Sequence, residues 1–166
     1  MREARMRMTA TQCRDGFSSA RVARLATVNA AGEPHLVPVT FGVIDVTPIP
    51  GDLAADDPAH QVAQLVVFAV DHKPKSTTAL RRLDNIAANP RVAFLVDVYD
   101  DDWDRLWWVR ADATAAIIDG TDRRRAIAAL RAKYPQYERV VPQGAVVGAS
   151  VSRWSGWRAT PSGDGR

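Results

Sequence analysis

The residues best suited to chemistry lie in the stretch 71–78, which reads Asp-His-Lys-Pro-Lys-Ser-Thr-Thr. It places two lysines and three hydroxyl side chains between an apolar run, Leu65 to Val70, and a segment with leucine and isoleucine at helical spacing. That order predicts a strand, a turn and a helix, with Ser76 or Thr77 as the N-cap. Unpaired N–H groups at a helix start, together with two ammonium groups, favour binding of an anion such as a phosphate. A solvated turn with a good cap fits the same residues, because no glycine-rich phosphate loop is present.

Length and composition indicate one soluble domain. The 166 residues are 46% hydrophobic and 25% charged, which is ordinary for a globular domain with a real core. The single cysteine, Cys13, excludes an internal disulfide and agrees with a reducing cytosol. Apolar runs are too short to span a membrane, and the arginine-rich start lacks the apolar stretch of a signal peptide. We therefore expect a cytoplasmic protein with no membrane partner.

The net charge of +3 raises the question of a nucleic-acid partner. Basic residues are divided between the N-terminus and a later helix, whereas aspartates cluster at 97–104. This distribution favours no nucleic-acid partner, although a small tryptophan-rich barrel that stacks on single strands stays an alternative. The aspartates lack the spacing of a calcium loop, so we expect no metal site.

Periodicity and turn residues predict six or so strands and two or three helices. The predicted strands span 22–28, 35–44, 65–70, 91–99, 106–118 and 145–158. The predicted helices span 77–88 and 119–134, with weak helical potential in residues 1–20. Strands joined mostly by short turns favour an antiparallel barrel with helices packed outside. A Rossmann domain is disfavoured, because strands and helices do not alternate regularly and no G-x-G-x-x-G follows a strand.

Four ranges are expected outside the regular fold. Residues 1–16 are predicted to be disordered or weakly helical, with the domain spanning 17–158 and a disordered tail at 159–166. Residues 45–61 carry three prolines and four aspartates and are predicted to form a long surface loop. Residues 136–144 are predicted to form a second loop.

Side-chain alternation assigns faces to the two longest strands. In the strand 106–118, the side chains predicted to face the core are Trp107, Val109, Ala111, Ala113 and Ile117, and those on the polar face are Trp108, Arg110, Asp112 and Thr114. In the last strand, the predicted sets are Val147, Ala149, Val151, Arg153 and Trp157 on one side, and Trp154 and Arg158 on the other. Pro38, inside the second strand, indicates an edge, a bulge or a backbone that serves something other than a strand.

Six stretches carry a family resemblance through their order and spacing. They read GEPHLVPV at 32–39, DHKPK at 71–75, LRRLDNIAANPRV at 80–92, DDDW at 100–103, LWWVRAD at 106–112 and RWSGWR at 153–158. Together they resemble the pyridoxamine 5′-phosphate oxidase-like family over residues 17–158. More closely, they are similar to its actinobacterial branch of deazaflavin (coenzyme F420)-dependent enzymes.

The resemblance implies a mainly β fold with flanking helices, a split β-barrel of the FMN-binding-protein-like type, which pairs into a homodimer with flavin-type cofactors at the interface. It implies that the cofactor phosphate is held by Lys73, Lys75, Ser76 and Thr77, with His72 beside it. The second strand would run along the cofactor ring, which assigns His35, Leu36, Val37, Pro38, Val39 and Thr40 to that contact. From the partner subunit, the residues closing the pocket would be Trp154, Trp157 and Arg158, with Trp108 and Arg110 behind them.

The resemblance also implies a function. The flavin mononucleotide oxidases of the family usually present an arginine on the second strand and an Arg-Lys pair at the phosphate, and neither pattern is intact here. Coenzyme F420 is therefore the expected cofactor, with flavin mononucleotide (FMN) as the alternative. The expected activity is a two-electron hydride transfer to or from a small organic molecule, and no dedicated catalytic side chain is expected because the cofactor carries the chemistry. A non-catalytic carrier or sensor and an FMN-dependent oxidase stay open.

Several of these residues each have two possible roles. His35 could donate a proton or serve a structural role. The tryptophans could pack a dimer core or contact the ring. Arg110 and Arg158 could bind an anion or form ion pairs across the dimer interface with the acidic residues at 97–104.

Overall fold

Seven antiparallel strands form one sheet in the computed structural model, which describes residues 7–46, 63–70 and 77–159. The elements in chain order are α1 Ala10–Ser19, β1 Ala23–Val28, β2 Pro34–Val39, β3 Gly42–Val46, β4 Ala63–Ala69, α2 Thr77–Ala88, β5 Arg91–Val98, a 3-10 turn Trp103–Arg105, β6 Trp107–Ile118, α3 Gly120–Lys133, α4 Gln136–Arg139 and β7 Val146–Arg158. The strand order is β2-β1-β5-β6-β7-β4-β3. The predicted mainly β fold with flanking helices is confirmed.

The inner face of the sheet carries the main core. Alternation along each strand turns Leu25, Phe94 and Val109 to this face, and all three are fully buried. Helix α1 closes the core, because the ring of Phe17 lies 4.7 Å from that of Phe41. We call the opposite side of the sheet the outer face.

A second hydrophobic cluster lies on the outer face, beneath α3. Ala126 and Leu130 of α3 pack with Val67 of β4 and Val146 of β7, and these four residues are fully buried. Helix α3 covers β3, β4 and the first part of β7. Among the described residues, α3 therefore covers only one end of the outer face.

The predicted strand 35–44 is wrong in one respect, because the structure divides it into β2 and β3. These two strands lie at opposite ends of the sheet, β2 beside β1 and β3 beside β4. Between them, Tyr134, the residue that follows α3, replaces a strand partner: its hydroxyl accepts from Phe41 N at 3.0 Å and lies 2.9 Å from Phe41 O. Pro38 lies on β2, an edge strand among the described residues, as its missing N–H predicted.

A β-bulge in β7 reverses the faces predicted for the last part of the strand. Asp112 is opposite Arg153 while Ala113 is opposite Val151, so Ser152 is an extra residue. Beyond it, Trp154 turns to the inner face, where its ring lies 5.1 Å from that of Phe17. Arg153 and Trp157 turn to the outer face, opposite Asp112 and Trp108 of β6.

The ordered domain begins earlier than the predicted residue 17. Helix α1 starts at Ala10, where Thr9 and Gln12 form a capping box with hydrogen bonds of 3.2 and 2.9 Å. Cys13 is fully buried in the core, so this segment belongs to the fold. The predicted loop 136–144 contains the short helix α4, and Ile117, near the end of β6, is exposed rather than in the core.

Several predictions fall outside the described residues. They concern residues 1–6, most of the loop 45–61, the turn 71–76 and the tail from 160. Among the described helices, none combines the length and apolarity that a bilayer span requires.

Candidate functional site

An open cleft of about 530 Å³ lies where β6 and β7 run side by side, and we call it the tryptophan–arginine cleft. Its lining residues are Arg7, Met8, Trp108, Arg110, Arg153, Trp154, Ser155, Gly156 and Trp157. Four of them, Trp108, Arg110, Trp154 and Trp157, were predicted to close the cofactor pocket. The structure brings these four together at one site.

Strand register positions the cleft. Trp108 is directly opposite Trp157, and Arg110 is opposite Ser155, on the outer face of the sheet. The bulge at Ser152 adds Arg153 to the same face. The indole of Trp154 is held from behind, since its Nε1 donates to Gln64 Oε1 at 2.7 Å. The cleft therefore has flat apolar walls on a well-ordered pair of strands.

The cleft has an excess of positive charge. Arg110 Nη2 donates to Asp112 Oδ2 at 3.2 Å, and Arg153 Nε donates to the same oxygen at 3.0 Å. One carboxylate thus pairs with two guanidinium groups, and Arg7 adds a third beside Trp157. A site of this charge attracts anions.

Two arginines with predicted roles have these contacts within the chain. Arg110 pairs with Asp112, and Asp97 of the acidic cluster accepts from Arg24 at 2.5 Å, while the ion pairs across a dimer interface stay a prediction. Arg158 is outside the cleft lining, because the bulge turns it to the inner face, 4.0 Å from Met8 Sδ. Its predicted role in closing the pocket from the partner subunit stays a prediction.

A second cleft, of about 370 Å³, adjoins the first and is mostly apolar. Its lining residues are Val98, Tyr99, Leu106, Trp107, Trp108 and Trp157. Trp108 and Trp157 belong to both clefts, so the two indoles form a common wall. A ligand could place an apolar ring on one side of this wall and an anionic group on the other.

The residues predicted on β2 do not share one face. Leu36 and Pro38 are exposed on the outer face, whereas Val37 and Val39 turn inward and Val39 is buried. Thr40 follows the strand, and its Oγ1 lies 2.8 Å from the hydroxyl of Tyr137. The side chains of β2 therefore point to both faces of the sheet, and the predicted contact of its backbone and side chains with a cofactor ring stays a prediction.

His35 opens into a third cleft, of about 310 Å³, between the β1–β2 hairpin and α2. We call it the His35 cleft, and its other lining residues are Asn29, Glu33, Pro34, Arg81 and Asn85. It is separated from the tryptophan–arginine cleft, because β1 and β5 lie between β2 and β6.

The predicted phosphate turn stays a prediction. His72, Lys73, Lys75 and Ser76 lie outside the described residues, and of Thr77 only the backbone is described. Helix α2 begins at Thr77, as the spacing predicted.

Three titratable groups away from the clefts are perturbed by burial, and one of them is Tyr134, whose pKa is raised. Burial raises the pKa of the Cys13 thiol, against a smaller opposing effect of Arg158. Burial, with the charge of Arg21 as a second cause, lowers the pKa of Lys133 to about 8. Within the described part of the chain, no group of three or more His, Cys, Asp or Glu residues could hold a metal ion.

Sequence reasoning missed several lining residues, among them Arg7, Met8, Arg153, Arg81 and Asn85. Arg7 and Met8 were assigned to a disordered terminus, and Arg153 was placed on the wrong face because a bulge is not visible in alternation. Arg81 and Asn85 resemble ordinary residues of an amphipathic helix. The capping box at Thr9 was the one available sign that the chain is ordered so early.

A family model for pyridoxamine 5′-phosphate oxidase matches residues 9–158, which is most of the chain. The chain belongs to the pyridoxamine 5′-phosphate oxidase family. The predicted split β-barrel and the predicted family are thereby confirmed, and the match begins where α1 is capped. A search of curated protein sequences finds no match.

Solved structures share this family's fold at low identity. A conserved hypothetical protein from Mycobacterium tuberculosis has a TM-score of 0.66 and 21% identity, over 98% of this chain and 92% of that one. An FAD-binding protein from Mesorhizobium loti has a TM-score of 0.61 and 17% identity, over 93% and 97%. A heme-binding protein from Mycobacterium smegmatis has a TM-score of 0.57 and 18% identity, over 89% of this chain and 56% of that one.

Proposed function

We propose that this family member is an oxidoreductase that binds a flavin-type cofactor in the tryptophan–arginine cleft, as a homodimer, and exchanges a hydride between it and a small organic molecule. The observation that carries the proposal is the Trp108–Trp157 pair beside Arg110 and Arg153 on one face. Indole rings offer flat apolar surfaces to a tricyclic ring, and guanidinium groups hold anionic substituents. The fold shared with an FAD-binding protein supports the same class of ligand.

Coenzyme F420 is the proposed cofactor, with FMN as the alternative. The oligoglutamate tail of F420 is polyanionic, and the cleft offers Arg7, Arg110 and Arg153 against the single acid Asp112. When bound, a reduced deazaflavin supplies a hydride from its ring carbon. Lys73, Lys75, Ser76 and Thr77 are proposed to hold its phosphate.

The protein's own contribution is binding, orientation and exclusion of water. None of the residues that line the tryptophan–arginine cleft is an acid, a histidine or a cysteine. We therefore propose no catalytic side chain there. The same observation favours the second candidate function, a carrier or sensor that binds the cofactor without turnover, as does the fold shared with a heme-binding protein.

The homodimer is proposed from exposed apolar side chains near the open part of the sheet. Leu36, Val98, Tyr99 and Trp103 are exposed, Leu36 by 67% and Tyr99 by 84%. Large exposed apolar groups beside a sheet face are typical of interaction surfaces. Dimerisation here would allow β2 of one protomer to approach the tryptophan–arginine cleft of the other, as the family resemblance implies.

The proposal is tested by titrating the purified protein with F420 and with FMN, followed by absorbance. We expect sub-micromolar binding of F420 and a dimer by light scattering. Binding of neither cofactor would contradict the proposal. Binding of F420 without hydride exchange across a panel of small organic molecules would favour the carrier, and steeply salt-dependent binding of oligonucleotides would favour nucleic acid instead.

A double substitution tests the phosphate turn. Replacing Lys73 and Lys75 with alanine should weaken F420 binding by about 2–4 kcal/mol, because charge-assisted hydrogen bonds are lost. The matched control, Lys73→Arg with Lys75→Arg, keeps both charges and should retain most of the affinity. An unchanged affinity in the alanine variant would place the phosphate elsewhere.

A further inference from the structure

We propose that Asp112 is a positioning residue of the tryptophan–arginine cleft, which holds the guanidinium groups of Arg110 and Arg153 side by side for a ligand that carries more than one carboxylate. The inference rests on the proposed function and deepens it, because the glutamate tail of F420 is such a group. Asp112 itself is not a lining residue of the cleft. It therefore acts through the two arginines rather than on the ligand.

Both oxygens of the Asp112 carboxylate lie against guanidinium groups. Arg110 Nε lies 3.0 Å from Oδ1, and Arg110 Nη2 donates to Oδ2 at 3.2 Å. Arg153 Nε donates to the same Oδ2 at 3.0 Å, and its Nη2 lies 2.9 Å from that oxygen. One carboxylate thus holds two groups of like charge together, because its attraction for each offsets part of their mutual repulsion.

The two arginines keep N–H groups for a ligand. A guanidinium has five N–H groups, and Asp112 engages Nε and Nη2 of each arginine. Among the described residues, Nη1 of neither arginine has a hydrogen-bond partner. The side chains of Arg110 and Arg153 are 40% and 65% exposed, against 29% for Asp112. The acid lies deeper than the groups that it holds, so a ligand carboxylate can reach the arginines while Asp112 stays in place.

The backbone fixes all three side chains on the outer face of the sheet. Arg110 and Asp112 are two residues apart on β6, so alternation turns them to the same face. Arg153 joins them only because Ser152 is the extra residue of the bulge, which makes Arg153 the direct partner of Asp112 on β7. Ser152 Oγ donates to Asp112 O at 3.1 Å and so ties the bulge to Asp112. The bulge and Asp112 therefore place the two arginines as one unit.

An ion pair without a role in binding is the alternative, and the two interpretations predict opposite signs. If Asp112 only adds a negative charge near the cleft, neutralising it should strengthen the binding of an anion, since a repulsion is removed. If Asp112 positions the arginines, neutralising it should weaken that binding, because a neutral amide holds two guanidinium groups poorly. The sign of the change in affinity therefore distinguishes the two.

The test is a titration of the full chain with F420 and with a deazaflavin that lacks the glutamate tail, at one fixed ionic strength. Asp112→Asn should raise the Kd for F420 about tenfold, as expected for weakened charge-assisted contacts, and should change the Kd for the tail-less deazaflavin little. Asp112→Glu keeps the charge and should retain most of the affinity. The matched control is Glu138→Gln, which breaks a 2.9 Å ion pair with Arg131 outside the cleft and should change neither Kd.

Two further measurements separate positioning from a loss of structure. In the cofactor-free protein, the NMR signals of the Nε–H groups of Arg110 and Arg153, assigned through Arg110→Gln and Arg153→Gln, should be protected from exchange with water and should lose this protection in Asp112→Asn. In the double variant Arg110→Gln with Arg153→Gln, Asp112→Asn should no longer weaken F420 binding, because no guanidinium group is left to position. The midpoint of denaturant unfolding should change little in Asp112→Asn, since exposed ion pairs contribute little to stability.

The inference is overturned if Asp112→Asn binds F420 as tightly as the wild type or more tightly, or if the Nε–H signals are unaffected by Asp112→Asn. An equal loss of affinity for the tail-less deazaflavin also overturns it, since the arginines would then not contact the tail. In each of these outcomes the proposed cofactor function survives. Binding of FMN but not of F420 by the wild type overturns the inference as well, whereas binding of neither cofactor overturns the proposed function and this inference with it.

Discussion

The outer face of the sheet has two halves, one that α3 covers and one that α3 leaves open. In the covered half, α3 buries Leu130 against Val146 of β7. In the open half, Trp157 of the same strand stands beside Trp108 and lines the tryptophan–arginine cleft. Strand β7 therefore contributes to the hydrophobic cluster where α3 covers it, and to the tryptophan–arginine cleft where α3 does not. Half-buried aromatic and basic groups that no helix covers are available to a ligand.

The largest expected effects come from one substitution in each half, which should change stability in the covered half and cofactor binding in the open half. Leu130→Ala removes a fully buried side chain from the covered half and should lower the free energy of unfolding by about 2–5 kcal/mol. Trp108→Ala should lower it less, because Trp108 is only half-buried. It should instead weaken F420 binding by about 1–3 kcal/mol, the range for lost stacking on an aromatic side chain. Denaturant unfolding and cofactor titration measure the two effects.

Val140→Ala is the matched control, because Val140 is 74% exposed and lies outside both tryptophan-lined clefts. It should change neither quantity much. The division into a stabilising half and a binding half is contradicted if Trp108→Ala destabilises the fold as strongly as Leu130→Ala while cofactor affinity is kept.

A smaller effect on stability is expected at Gly156, where α1 packs against the inner face of β7 in the open half. A Cβ there would lie 2.7 Å from Cys13 Sγ and 3.1 Å from Val109 Cγ2, closer than side chains normally approach. Gly156→Ala should therefore cost about 1–3 kcal/mol of stability by overpacking α1 against β7. The midpoint of denaturant unfolding measures it.

Gly16→Ala gives the control on the opposing helix. The nearest atom to its added Cβ is 3.5 Å away, and alanine favours a helix over glycine by up to about 1 kcal/mol. We expect a small gain in stability. Equal losses at both glycines would show that the contact between α1 and β7 is not the cause.

The sequence was sufficient for the features that depend on local periodicity. Alternation placed Trp108 and Arg110 on the polar face of β6, Pro38 indicated the edge strand, and leucine spacing gave α2 its bounds. The bulge at Ser152 could not be predicted this way, because it depends on the register between β6 and β7. The division of β2 from β3 likewise depends on Tyr134, the residue that follows the distant helix α3.

The candidate site shows the same limit. Family resemblance supplied Trp108, Arg110, Trp154 and Trp157, all of which line one cleft. Arg153 required the bulge. The His35 cleft required the docking of α2 on β1 through the Asn85–Thr27 hydrogen bond, which no local pattern encodes.

The smallest expected effect is a pH dependence in the covered half. Lys133, the last residue of α3, donates to Ser18 O at 3.0 Å and lies 3.7 Å from the ring centroid of Phe41. Its pKa in the folded protein is about 8, against an ordinary value of 10.5. Between these values the unfolded chain holds more protons than the folded one, so this group makes stability rise with pH from about 8 upward.

Lys133→Met isolates that contribution, because methionine keeps an apolar stem and loses the charge. Two other groups act in the opposite direction at higher pH: burial raises the pKa values of Cys13 and Tyr134, so each contributes stability that is lost as its unfolded counterpart ionises. Both proteins contain Cys13 and Tyr134, so these two contributions cancel in the difference in unfolding free energy between the wild type and Lys133→Met. As pH rises through 8, the unfolding free energy of the wild type should increase relative to that of Lys133→Met. A constant difference would mean that Lys133 keeps its ordinary pKa in the folded protein. The effect is the smallest because Lys133 is only partly buried and water screens its charge.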